Sequence, residues 1–243
     1  YNFHAVAAAE SAGLSQAVDF LGDLTNSHPG LTGMAAVGGT AGSETTLLDL
    51  TRAYSIFPNN GRLVQVRFQQ SFAQGGLKKE LKMIQPEAVA EGGAAFVVTQ
   101  MLRSVIGREG TSPAFLKQSG VSVNSSIAAK SGTGMVADVW FIVFTSRLIV
   151  GVWGGLPQND VLLRLSDGFS GASVAAPIAA KFIHRVREFR PELLSGQFEQ
   201  PANVIRQRIN SRRSCADPNG DLDEFFIRGR ELRSCSGLNA SQN

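Results

Sequence analysis

Four consecutive residues, Lys130-Ser131-Gly132-Thr133, place a cation, two hydroxyls and a glycine at the end of the apolar run Ile127-Ala128-Ala129. Successive side chains of an extended segment point to opposite faces. Lys130 and Gly132 therefore share one face, and Ser131 and Thr133 the other. A glycine at 132 removes the side chain that would keep a peptide from lying along this strand. The lysine supplies positive field and N–H donors, and the hydroxyls can hold a carboxylate. The backbone N–H near Thr133 can point at a developing oxyanion. Other chemistry-bearing residues say less. His4, His28 and His184 lie far apart with no partners at metal-ligand spacing, so surface or core places suit them and no metal is expected. The run Gly38-Gly39-Thr40-Ala41-Gly42 is followed by no Gly-Lys-Ser/Thr and is no G-x-G-x-x-G, so it reads as a loop. Between Lys181 and Arg213, eight Lys and Arg stand against three Glu. A solvated basic face is favoured there over a polyanion site.

Positioning such residues takes a core, and the composition supplies one. Of 243 residues, 43% are hydrophobic and 18% charged. This suits one medium domain, or one domain with an appendage, and excludes a disordered chain, a collagen or a small disulfide scaffold. Twenty-three Lys and Arg against 20 Asp and Glu leave a net charge of +3, too little to point to nucleic acid. The longest apolar run, 139–153, is broken by Thr145-Ser146-Arg147, short of the roughly 18 residues of a membrane span. The two cysteines, Cys215 and Cys235, are either buried thiols or a disulfide formed in an oxidising compartment. The chain opens on Tyr1-Asn2-Phe3-His4 with no leader pattern, and it reads as a fragment.

The first 25 residues predict helix interrupted at Gly13, and 25–42 predict a loop. A second helix, capped by Ser43 or Thr45, places Leu47, Leu50, Tyr54 and Phe57 on one face and stops at Pro58-Asn59-Asn60-Gly61. Val64, Val66 and Phe68 alternate as a strand, facing Leu77, Leu81 and Met83 across Gly75-Gly76 in a hairpin. A third helix starts near Pro86 or Glu91 and runs to Ile106, with Phe96, Met101, Leu102 and Val105 inward. The runs 127–130, 138–145 and 148–153 predict neighbouring antiparallel strands, in which Trp140 and Trp153 pack in the sheet core. A fourth helix spans 172–189. Beyond Pro191 the chain is polar, Arg-rich and poor in periodicity. The expected class is mixed α/β, of the α+β kind.

Around Lys130-Ser131-Gly132-Thr133 the neighbours agree on a family. The tetrapeptide resembles the third motif, Lys-Thr/Ser-Gly-Thr, of the transpeptidase domain of class A penicillin-binding proteins. Asp138-Val139-Trp140-Phe141 with Phe144-Thr145, and Gly151-Val152-Trp153-Gly154-Gly155, resemble the two strands that follow it. Upstream, Gly42-Ser43-Glu44-Thr45-Thr46-Leu47-Leu48-Asp49-Leu50, continuing to Asn60-Gly61, resembles the family's G-x-S-E-V-T-P-L-E-L helix. Gly171 with Ala175-Ala176-Pro177-Ile178 is similar to its last helix. Cys215, Phe225-Phe226-Ile227-Arg228-Gly229 and Cys235 resemble its ending. The order is right over nearly the whole chain. Departures occur at Gly134-Met135-Val136-Ala137 and at Leu156-Pro157-Gln158-Asn159-Asp160, where the family carries more polar stretches; they bear on substrate selectivity.

The resemblance implies a β-lactamase/transpeptidase-like antiparallel sheet flanked by helices, incomplete at the N-terminus. Residues 1–190 would be the C-terminal part of the transpeptidase domain, and 191–243 a polar tail. Asn2 would be the Asn of the second motif, Ser-x-Asn, whose Ser precedes Tyr1. The residues three before the six lysines are Gly75, Gly76, Lys79, Ala114, Ile127 and Ile178, so the nucleophile motif Ser-x-x-Lys is not in the chain. The resemblance assigns Lys130, Thr133 and Asn2 to catalysis, and Ser131, Gly132 and Thr133 to substrate binding. It also implies a Cys215–Cys235 disulfide. The parent would cross-link peptidoglycan stem peptides through a serine acyl-enzyme, bind β-lactams and carry a glycosyltransferase domain. It would work outside the cytoplasmic membrane, anchored upstream, without cofactor or nucleic acid, with cell-envelope synthesis proteins as partners. A non-catalytic sensor module and a serine β-lactamase relative are the rival readings.

Overall fold

The computed structural model describes residues 2–27, 30, 45–122, 125–134, 138–155 and 169–238. His28, the glycine run 38–42, Ser43 and residues 156–160 lie outside the described residues. The N-terminal helical pattern forms α1 (Asn2–Ala12) and α2 (Leu14–Thr25), parted at Gly13, whose φ of 95° favours glycine. The cap of α3 (Leu47–Ala53) is Thr46, not Ser43 or Thr45. Thr46 is extended, and its hydroxyl accepts the Asp49 N–H at 3.0 Å. A tight turn, Tyr54–Ile56, prolongs α3 toward Asn60-Gly61, both at positive φ.

The next stretch holds β1 (Arg62–Leu63), β2 (Ser71–Gln74), β3 (Leu77–Glu80) and β4 (Glu87–Ala88), paired as β1 with β4 and β2 with β3. This corrects the expected hairpin. Gly75 and Gly76 both have positive φ and form a two-residue turn, which sets Gln74 opposite Leu77. Ser71–Gln74 is therefore the first arm, and Val64, Val66 and Phe68 lie outside the strands. Helix α4 (Gly92–Arg103) follows, extended by a turn at Ser104–Ile106. Phe96 is buried, but Met101 is 63% exposed. Five residues beyond Phe96 it is turned about 140° away around the helix.

After the short α5 (Phe115–Ser119) come β5 (Ala128–Thr133), β6 (Asp138–Phe144) and β7 (Ile149–Gly155), one antiparallel sheet in that order. A wide turn at Gly171–Ala175 leads into α6 (Ala176–Phe189). The odd-numbered sheet residues Ala129, Val139, Phe141 and Val143 pack on Ala176, Ala179, Ala180 and Ile183 of α6, with Phe115 beside them. Alanines on the helix let it approach closely. On the opposite face Ala128 and Phe144 meet Phe96, Phe198 and Val204, and Tyr54 and Phe57 lie against Phe144.

The polar stretch after Pro191 carries strands that its weak periodicity did not mark. β8 (Val204–Asn210), β9 (Cys215–Ala216) and β10 (Leu222–Ile227) form an antiparallel sheet, order β10-β8-β9, followed by α7 (Cys235–Leu238). Only Val204 and Ile209 of β8 are buried, while Arg206 and Arg208 each reach Asp223 at 3.0 Å. So small a buried share leaves little hydrophobic period to read. Phe225 meets Phe96 edge-on at 5.4 Å, docking this sheet on α4. A disulfide joins Cys215 to Cys235. The fold is α+β, with antiparallel sheets and flanking helices. No helix among the described residues is long and apolar enough to cross a membrane.

Candidate active site

Lys130-Ser131-Gly132-Thr133 occupies the last two-thirds of β5, the outer strand of its sheet. Gly134 N–H donates to Asp138 C=O at 2.7 Å, which sets the phase of the ladder. Backbone groups of an antiparallel strand alternate between partner and open side. Gly132 and Lys130 therefore bond inward to β6, whereas Ser131 and Thr133 turn their N–H and C=O to the open edge. The Thr133 N–H has no acceptor among the described residues. An extended peptide can pair with this edge, with that N–H available to a carbonyl oxygen.

The side chains divide as alternation requires. Ser131 and Thr133 lie on the α6 side, each held by a partner. Ser131 Oγ is 3.0 Å from Thr111 Oγ1, and Thr133 Oγ1 accepts the Gly171 N–H at 3.1 Å. The Thr133 hydroxyl accepts that bond and keeps its O–H to donate, and the Ser131 hydroxyl keeps its O–H for a carboxylate when Thr111 is the donor between them. Gly171 makes the second contact possible. A Cβ there would meet Trp140 O at 2.2 Å and Gly132 O at 2.4 Å, so only glycine lets the turn before α6 rest on the β5–β6 ladder. Ser170 and Ser173 secure that turn: Ser170 Oγ accepts the Ser173 N–H at 3.1 Å, and Ser173 Oγ accepts the Ser170 N–H at 2.8 Å.

Lys130 stands on the other face with Gly132. Its ammonium donates to the Ser131 carbonyl at the open edge. Partial burial holds its pKa below the usual lysine range. A Cβ at Gly132 would approach Trp140 Cβ to 3.1 Å, so the glycine also makes room for its cross-strand neighbour. Trp140 and Trp153 stand side by side on this face, ring centroids 6.1 Å apart. They are not core residues: Trp153 is 46% exposed and donates its Nε1–H to Asp138 Oδ1 at 2.9 Å. The row Gly132-Trp140-Trp153 lies beyond the part of the face that α3 covers, where Gly151 lies against Leu47 and Thr51.

Asn2 is the first residue of α1, and its side chain lies outside the described residues. His184 is a surface residue of α6, 3.4 Å from Glu188. Several members of the basic run are ion-paired, Arg185 with Glu188 and Arg190 with Glu192. No group of His, Cys, Asp and Glu suited to a metal occurs among the described residues. Sequence reading missed Thr111 as the hydroxyl beside Ser131. It lies twenty positions away in an irregular stretch, where no local pattern marks it.

Comparison with known proteins agrees with this arrangement. Residues 9–183 match the family model described as the penicillin binding protein transpeptidase domain. Penicillin-binding protein 1A of Aquifex aeolicus (strain VF5) is 31% identical over 202 residues, 81% of this chain and 26% of the relative. Penicillin-binding protein 1A/1B of Bacillus subtilis (strain 168) is 28% identical over 254 residues, 94% of this chain and 26% of the relative. The chain thus spans about a quarter of the length of these curated relatives. The crystal structure of penicillin-binding protein 1A from Haemophilus influenzae superposes with a TM-score of 0.77, covering 97% of this chain and 40% of that one. At 21% identity the superposition shows a shared fold. With the family model spanning well over half its length, this chain belongs to the penicillin-binding protein transpeptidase family.

Proposed function

We propose that this chain forms the substrate-binding edge and oxyanion side of a serine D,D-transpeptidase that cross-links peptidoglycan stem peptides. The observation that carries the reading is the open edge of β5. There the outward Thr133 N–H, the anchored Ser131 and Thr133 hydroxyls and Lys130 surround one stretch of strand. A D-Ala–D-Ala peptide lies along β5, with Gly132 leaving space for it. Its terminal carboxylate takes the Ser131 and Thr133 O–H groups. Its scissile carbonyl takes the Thr133 N–H, half of an oxyanion hole.

The nucleophilic serine comes from a Ser-x-x-Lys outside this chain, since none of the six lysines follows a serine at that spacing. Its Oγ adds to the carbonyl carbon, and the C–N bond to the terminal D-Ala breaks. The leaving amine takes a proton, and an amine of a neighbouring strand then resolves the ester. Lys130 supplies positive field and, with its lowered pKa, joins the proton relay. Asn2 orients the substrate amide. β-Lactams mimic the dipeptide and leave a slow acyl-enzyme.

Residues 1–190 make up the transpeptidase part and 191–243 a C-terminal unit braced on α4. The parent works in the cell envelope outside the cytoplasmic membrane, anchored through an upstream segment and joined to a glycosyltransferase domain. It works without a cofactor and without nucleic acid, alongside cell-envelope synthesis proteins. The test is a fluorescent penicillin applied to the isolated chain and to the parent. A covalent band is expected at the parent's mass only. A denaturation-sensitive band on the isolated chain, or none on the parent, overturns the reading.

A further inference from the structure

Ser131 Oγ and Thr111 Oγ1 lie 3.0 Å apart, in a contact where either oxygen can donate. Each hydroxyl has one proton, and a carboxylate offers acceptors only. While that contact holds, Ser131 can face a carboxylate as a donor only if Thr111 gives its own O–H to Ser131. Thr111 Oγ1 has no other hydrogen-bond partner among the described residues. The loop around it is braced. Ser112, 4% exposed, donates its N–H to Val105 C=O at 2.9 Å, and Gly110 N–H donates to Gly107 C=O at 3.0 Å. A Cβ at Gly110 would meet Ser104 O at 2.1 Å and Val105 O at 2.3 Å, so the loop folds back on the end of α4 only with glycine there. On either side of the loop, Ile106 and Phe115 are buried in one cluster with Ala129 of β5. Thr111 itself is exposed, so core packing gives no account of its hydroxyl.

We propose that Thr111 is a positioning residue for substrate selection: its O–H donates to Ser131 Oγ and so aims the Ser131 O–H at a substrate carboxylate. The inference rests on the acyl-transfer reading and adds to it the residue that makes this edge prefer an acid to its neutral analogue. A hydroxyl that accepts a hydrogen bond is polarised into a better donor. Thr133 gains the same from the Gly171 N–H. Each hydroxyl of the motif then has a donor behind it and turns its own proton to the open site. An anionic chain end meets two donors there, whereas a neutral ester gains little from either.

The test uses the intact parent and two probes, benzylpenicillin and its methyl ester, which differ at the carboxylate alone. Acylation efficiencies are measured from the loss of fluorescent-penicillin labelling over time. Thr111→Val is nearly isosteric. It is expected to lower the efficiency toward the acid about tenfold, the scale of one hydrogen bond to a charged group, and toward the ester by less than about twofold. Thr111→Ala should match it, and Thr111→Ser should restore the acid-to-ester ratio. In a Ser131→Ala background, Thr111→Val should barely move that ratio, because the two residues act in series. An unchanged ratio in Thr111→Val and Thr111→Ala overturns the proposal. So does an equal fall for both probes, which leaves Thr111 a structural role only. A Thr111 effect that persists in full in the Ser131→Ala background also overturns it and seats the carboxylate on Thr111 directly. In all three cases the parent is still labelled by penicillin; no labelling of the parent refutes acyl transfer itself, and this inference with it.

Discussion

Lys130 has no acidic partner in the described structure; its ammonium rests on the carbonyl of the next residue, and partial burial disfavours its charge. Such an amine gives positive field where the open edge would meet substrate, and it gives up a proton more readily than a solvated lysine. In the parent, Lys130→Ala is expected to slow acylation by fluorescent penicillin about 10²-fold or more, as removal of a preorganised electrostatic donor does. Stopped-flow acylation rates check it, and a near-normal rate removes Lys130 from the site. The other residues of the motif act through neighbours. Thr111 anchors Ser131, and Gly171 supplies the N–H that anchors Thr133.

At the scale of elements, the site depends on how closely the turn before α6 settles on the sheet. A Cβ at Gly171 would meet two backbone oxygens at 2.2 and 2.4 Å, atoms that cannot swing aside as a side-chain tip can. Gly171→Val is expected to destabilise the domain by about 1–3 kcal/mol, as overpacking does. It should also slow penicillin acylation by more than the loss of folded protein explains, because Thr133 loses its anchor. Chemical denaturation and acylation rates on the same samples separate the two effects, and a variant equal to the parent in both refutes the contact.

The C-terminal sheet is the second element with a measurable brace. Its disulfide bridges a sequence separation of 20 residues and holds β9 against α7, beside the bond from Ala216 N–H to Arg233 C=O at 2.9 Å. Replacing both cysteines by alanine should cost roughly 3 kcal/mol on the loop-entropy account. Thermal unfolding checks this, and an unchanged midpoint shows that packing of Phe225 on Phe96 suffices without the bridge.

At the scale of the molecule, two apolar layers sandwich the central sheet, and the layer opposite α6 carries a titrating probe. Burial among Phe57 and Phe144 raises the Tyr54 hydroxyl to about 12 from 10.0. A phenol held neutral in the folded state contributes stability that is fully present below pH 10 and lost as pH rises toward 12. Its amount is roughly 2–3 kcal/mol for a shift of about two units. Tyr54→Phe should flatten the alkaline fall in stability between about pH 10 and 12 while leaving the neutral value little changed. Urea midpoints measured across that range decide it, and an unchanged alkaline slope shows that Tyr54 ionises freely.

Much of this was legible locally. Three strand runs with short links announced β5, β6 and β7, because apolar runs and the length of the links between them are properties of adjacent residues. Alternation alone also divided Lys130 and Gly132 from Ser131 and Thr133. Other features needed the third dimension. Thr111 reaches Ser131, and Gly171 reaches Thr133, across twenty and thirty-eight positions, as packing of α6 on the sheet dictates. Trp140 and Trp153 carry the sequence mark of core residues yet stand at the edge of the covered face, since coverage depends on where α3 ends and not on residue type. The arm was read as one continuous hairpin because its apolar residues alternate. The Gly75-Gly76 turn makes Ser71–Gln74 the first arm and leaves Val64, Val66 and Phe68 outside the strands, and register is decided by turn geometry and pairing energy between distant segments.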